Sequence, residues 1–154
     1  MHTPRISWFP IASLHSALLA LLMAAFLFRV GAQAVQAWHP VAWLPPFESW
    51  HSATLPYWLL LVSQLVILAA QAWVLAAMLA GRHRPRRSAG VVLLVLGAAY
   101  FAFMLFRLLG GLTVLQHVPW FQALLPTVFH LVLAAFLLVL ADFHLRFHAR
   151  AGGA

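Results

Sequence analysis

The chain has 154 residues, of which 65% are hydrophobic and only 7% charged, so it is not an ordinary soluble globule, where about 25% of residues are charged. Its formal charge of +7 comes from nine arginines, no lysine and two acids, Glu48 and Asp142. It is carried by an apolar chain with no basic face wide enough to track a phosphate backbone, so nucleic acid is not expected as a partner. The absence of cysteine excludes disulfides, iron–sulfur clusters, cysteine-ligated zinc and thiol chemistry. Arginine without lysine, beside abundant alanine and leucine, fits the codon bias of a GC-rich genome, and a bacterial source is the expectation taken with it.

Crossing a hydrocarbon core takes roughly 20 apolar residues, and four stretches reach that length, at about 10–33, 55–80, 89–112 and 121–145. The expected fold is an all-α integral membrane protein, a single domain built as a bundle of four transmembrane helices. Arg5 precedes the first stretch and Ala32-Gln33-Ala34 resembles a cleavage site. The run is nevertheless longer than the hydrophobic segment of a signal peptide and is read as a retained span. Arg5, then Arg82, Arg84, Arg86 and Arg87 in the short basic loop 81–88, then Arg146 and Arg150 all fall on one side of such a bundle. Loops 34–54 and 113–120 carry no arginine, which makes both termini cytoplasmic in a bacterial inner membrane. Trp38, Trp43, Trp50, Tyr57, Trp58 and Trp120 are expected at the outer interface, with Trp8 and Phe9 at the inner one. The outer loop 34–54 is too apolar to be a solvated linker. Pro40, Pro45 and Pro46 break any long helix there, so it is expected to lie in the interface or to fold over the bundle mouth.

The two halves of the chain share a pattern. Leu27-Phe28-Arg29-Val30-Gly31 closes the first span, and Leu105 to Gly110, reading LFRLLG, closes the third. Each arginine is followed ten residues later by a histidine, His39 or His117, and the next span opens with a Leu-Pro pair, Leu55-Pro56 or Leu125-Pro126. This predicts two parallel helix-hairpin repeats related by an axis along the membrane normal.

Positions seven apart share a helix face. His15, Arg29 and Gln36 follow that spacing on the first span, with Gln33 one turn beyond Arg29. Tyr57, Gln64 and Gln71 follow it on the second, Tyr100 and Arg107 on the third, and His130 and His144 on the fourth. An unpaired polar group is costly in hydrocarbon, so these stripes should face each other or a partner. Two roles remain open: interhelical hydrogen bonds that hold the bundle together, or the lining of a polar cavity. His15, Gln33, Gln64, Gln71, Tyr100 and His130 are the expected interior polar set. Arg29 and Arg107 cannot shed their charge. With Glu48 in the outer loop and Asp142 at the far end of the fourth span, a lipid or other anionic group is the expected partner unless the arginines snorkel to phosphates.

His15 with His144, or His130 with a histidine of an outer loop, would offer axial ligands to haem b if they faced each other at one depth. Glu48-Ser49-Trp50-His51 has di-iron spacing, but the chain has too few carboxylates for such a centre. No nucleophile elbow, metalloprotease helix, phosphate-binding loop or dinucleotide fingerprint is present, and catalysis by this chain alone is not expected. The leading expectation is a non-catalytic accessory or assembly subunit of a larger membrane complex, with the bilayer and other membrane subunits as partners. The alternatives are a b-type cytochrome or quinone-binding anchor and a small carrier or lipid-binding module.

Overall fold

The computed structural model describes residues 9–50 and 56–151, with side chains described over 14–50 and 56–148. The described residues form helices only: α1 (Phe9–Trp38), α2 (Phe47–Trp50), α3 (Tyr57–Leu79), α4 (Arg87–Leu112), α5 (Pro119–Gln122) and α6 (Leu124–Ala151). The four long ones each contain a stretch apolar and long enough to cross a bilayer, which makes this a multi-pass membrane protein.

Prolines mark where the helices begin. Pro46 and Pro56 immediately precede α2 and α3, while Pro10, Pro119 and Pro126 lie in the first turns of α1, α5 and α6, where no intrahelical N–H is lost. The same rule corrects an expected boundary. α1 runs five residues past position 33, because nothing in Ala34 to Trp38 breaks a helix and the stop comes only at His39-Pro40. α6 likewise continues past position 145 to Ala151, through residues that are all good helix formers or neutral.

The long helices pack in the order α3, α1, α6, α4. The most extensive interface joins α4 to α6, and it rests on glycine. Gly90, Gly97 and Gly111 repeat at seven or fourteen residues and bring one face of α4 onto α6. A methyl group on Gly97 would lie 3.1–3.2 Å from Leu137 and Leu138. Small residues allow such close approach where no hydrophobic effect drives helices together. Leu19, Leu75, Phe136 and Leu140 tie α1, α3 and α6 into one buried cluster. Leu65, Val66, Val92, Val95, Leu96 and Phe103 are exposed on the outer faces of α3 and α4, as contact with lipid requires. α3 and α4 are joined by a short loop yet barely touch.

Residues 39–50 fold back over one end of the bundle. Gln36 organises the turn: its Oε1 accepts from the Val41 N–H at 2.8 Å, and its Nε2 donates to the carbonyls of Leu44 at 2.9 Å and Pro45 at 2.7 Å. α2 then docks on α1 and α6.

Candidate functional site

Trp50 departs from its expected place at the interface. It is 2% exposed, its indole N–H donates to the Pro45 carbonyl at 2.9 Å, and its ring stacks on Phe129 of α6 with centroids 6.2 Å apart. Trp38, Trp43 and Trp58 do stand exposed around the same end. His51 lies outside the described residues, as do Arg5 and Trp8.

Both singled-out arginines are buried and each meets a tryptophan backbone carbonyl. Arg29 donates through Nη2 to the Trp50 carbonyl at 3.3 Å and lies 5.8 Å from the Phe129 ring centroid. Arg107 donates through Nε at 3.0 Å and Nη2 at 2.7 Å to the Trp120 carbonyl and sits 4.3 Å from the centroid of the Trp120 ring. Carbonyl dipoles and ring faces stabilise a cation without cancelling it. Among the described residues neither arginine contacts a carboxylate: the ion pairs there both fall on Asp142, and Glu48 is exposed.

Arg29, Ser63, Gln64 and His130 line a partly open chamber of about 110 Å³ together with Phe26, Leu60, Ile67, Pro126, Phe129 and Leu133. Gln64 donates to Gln33 Oε1 at 3.2 Å across the α1–α3 interface. That bond leaves Gln33 Nε2 and Gln64 Oε1 buried without a hydrogen-bond partner, on residues 0% and 3% exposed. One turn pair further along α3, Gln71 Oε1 is in the same state. The Tyr57 hydroxyl is buried in the same state, and such groups cost on the order of 1–3 kcal/mol each when nothing pairs them. Gln71 and Tyr100 line a second cavity, an apolar groove of about 340 Å³ between α3, α4 and α6. Ile67 and Leu133 wall both spaces, so chamber and groove adjoin. Tyr100 hydrogen-bonds His130 Nδ1, linking the groove's edge to the chamber.

His15, His83 and His144 are engaged at the opposite end. His15 Nε2 meets Asp142 Oδ2 at 2.9 Å, and Arg146 Nε donates to the other carboxylate oxygen at 2.7 Å. His144 Nδ1 accepts from the Arg86 N–H at 2.9 Å, so its proton sits on Nε2 and is donated to His83 Nε2 at 3.1 Å. Both nitrogens of His144 are engaged within the chain, whereas His130 is bonded through Nδ1 alone. No group of three or more His, Cys, Asp or Glu side chains suited to a metal ion occurs among the described residues. Of the expected interior set, Gln64, Gln71, Tyr100 and His130 line the two adjoining spaces with Arg29, and Gln33 bonds to Gln64, whereas His15 is bonded to Asp142 and Arg107 lines neither space.

Burial holds the His83 imidazole below its ordinary value of 6.5. A depressed value means the folded state disfavours the charged form. The stability contributed by neutral His83 is complete above about pH 6.5 and is lost as pH falls through the lowered value. The melting temperature in micelles should drop on going from about pH 8 to about pH 5, and the drop should be smaller in His83→Gln. An identical slope in the variant would refute the assignment.

The sequence reading missed the acceptors of both arginines and the role of Gln36 as the organiser of the loop. No family model matches the chain, and no curated protein or solved structure is significantly similar to it.

Proposed function

We propose that the chain is a non-catalytic, lipid-binding accessory subunit of a bacterial inner membrane, with both termini cytoplasmic, whose interior takes the anionic head of a membrane amphiphile. One observation carries this reading: the chamber where Arg29, the half-paired Gln64 and His130 converge opens beside an apolar groove of a size to take part of an alkyl chain. The guanidinium lacks a carboxylate and Gln33 Nε2 lacks an acceptor, and a carboxylate or phosphate head with an apolar body offers charge to the first and an acceptor to the second, while Gln64 Oε1 is left to a hydroxyl of the guest. No paired acid stands at the chamber, and the Ser63 hydroxyl there donates to the Leu60 carbonyl of its own helix, which favours binding over turnover.

The proposed duplication supports the same site. In that register Arg29 and its Trp50 carbonyl answer to Arg107 and its Trp120 carbonyl, and α1–α3 answers to α4–α6. Counting from the shared Leu-Pro pairs, Gln64 and Gln71 answer to Ala134 and Ala141, both 0% exposed. The second hairpin closes tightly on alanine and glycine, while the first stays open on glutamine. A two-fold axis would also set α3 on α4 as α6 is set on α1, and the groove occupies that position.

The test is a titration of the purified full chain with a long-chain fatty acid, followed by native mass spectrometry. Gln64→Leu should lower retention of the acid by about tenfold, the effect of losing one hydrogen bond to a charged group from the Nε2 hydrogen that Gln33 does not take. Equal retention by both proteins would sink the reading. A quinone is the second reading, favoured by the Tyr100–His130 hydrogen bond at the junction of chamber and groove. It predicts retention of a neutral quinone in preference to the acid.

A further inference from the structure

A second site lies at the arginine-rich end, where α3 and α4 diverge around an open cleft of about 650 Å³ lined by Arg82, His83, Arg84, Arg86, His144 and Trp73. The sequence builds it through the way α3 stops. Gly81 takes φ 65°, its N–H bonds the Met78 carbonyl at 3.0 Å, and the Arg82 N–H reaches back to Ala77 at 2.9 Å. This is the paired 5→2 and 6→1 closure that glycine permits after a helix. The His83 N–H joins it on the Ala77 carbonyl at 3.1 Å, so the chain turns sharply and carries Arg82, His83 and Arg84 across the cleft mouth. On the far side the bond from the Arg86 N–H to His144 pins the start of α4 to α6, where Gly90 removes the side chain that would strike Leu145.

The result is three exposed guanidiniums around one cleft, with no carboxylate in its lining and no ion pair to any of them among the described residues. The opposite wall is apolar: Ala76, Ala77 and Trp73, whose indole is 71% exposed. The apolar stretch of α3 ends at Leu79 and that of α4 begins at Arg87, which puts the cleft at the level where hydrocarbon gives way to headgroups. Guanidiniums pair with phosphate oxygens two at a time, and basic pockets between helix ends recognise phosphate headgroups.

We propose that this cleft binds a phosphate-bearing headgroup of an anionic phospholipid, with Arg82, Arg84 and Arg86 on the phosphate oxygens and Trp73 against the glycerol and upper acyl chains. The cleft is much larger than an inorganic phosphate and matches a headgroup carrying two phosphates. It is separate from the chamber at Arg29, so the two sites stand or fall independently.

The full chain in a neutral detergent would be titrated with cardiolipin and with phosphatidylcholine and followed by native mass spectrometry. Cardiolipin should be held about 30-fold more tightly, the effect of two arginine–phosphate contacts, and Arg82→Gln/Arg84→Gln should remove that preference. Arg87→Gln/Arg146→Gln removes the same charge at the same end outside the cleft and should leave the preference intact. Equal loss in both double variants, or no preference in the parent, overturns the proposal. Inorganic phosphate separates the sources: failure to displace cardiolipin assigns the site to a lipid, and full displacement by phosphate alone overturns the lipid assignment. Helical circular dichroism and melting of each variant report whether these exposed substitutions leave the fold intact.

Discussion

Gly111→Ala should destabilise the bundle by about 3 kcal/mol, at the upper end of ordinary overpacking. A methyl group at position 111 would stand 2.2 Å from the backbone carbonyl oxygen of Phe121, far inside contact distance, and the obstacle is main chain that no rotamer change can move. Relief requires α5 to lift from α4. Lifting α5 also withdraws the adjacent Trp120 carbonyl, which accepts two hydrogen bonds from Arg107. The clash therefore propagates to a buried cation. Gly31→Ala supplies the contrast, because nothing lies within 4 Å of a methyl group there. It should be neutral or stabilising by up to about 1 kcal/mol, from helix propensity alone. Unfolding in a denaturing detergent series measures both variants, and equal midpoints would refute the docking of α5 described here.

Arg29→Gln should separate stability from binding. The substitution removes a buried charge that no carboxylate answers and retains an amide able to donate to the Trp50 carbonyl, so the folded chain should be as stable as the parent or more so. Retention of a long-chain fatty acid should meanwhile fall about 30-fold, since a charge-assisted contact of about 2 kcal/mol is lost. A binding site that strains its own fold improves in stability when disarmed. If Arg29→Gln loses stability and keeps the acid, the arginine is a structural brace for the docked loop and the proposed function is wrong.

Length and apolarity made the four spans legible, because a bilayer admits few alternatives. The polar stripes were legible for the same reason: hydrocarbon leaves Gln33, Gln64 and Gln71 nowhere to go but inward, and all three are buried. The end of α1 was misplaced because the loop was expected to start at Ala34, five residues before His39-Pro40 ends the helix. The partners of the arginines were not legible at all. A backbone carbonyl carries no side-chain signature, and the pattern of Trp50, 21 residues beyond Arg29, is that of an interface anchor. Likewise the pairs His15 with Asp142 and Tyr100 with His130 depend on which helices are neighbours. Nearly uniform apolar spans do not encode that order. The exception is α4, where Gly90, Gly97 and Gly111 at heptad spacing mark the closely packed face.

The groove between α3, α4 and α6 is lined by residues from the middle of the spans and lies beside the weakest seam of the bundle. A guest reaching it passes sideways out of the hydrocarbon and never crosses water. Moving an alkyl chain from lipid to an alkyl-like groove exchanges one oily surrounding for another, so the tail contributes little free energy to the transfer. Under the proposed function, selection would be left to the few polar atoms in the chamber, and occupancy would follow the mole fraction of the amphiphile in the membrane. The concentration in the surrounding water is not the relevant scale.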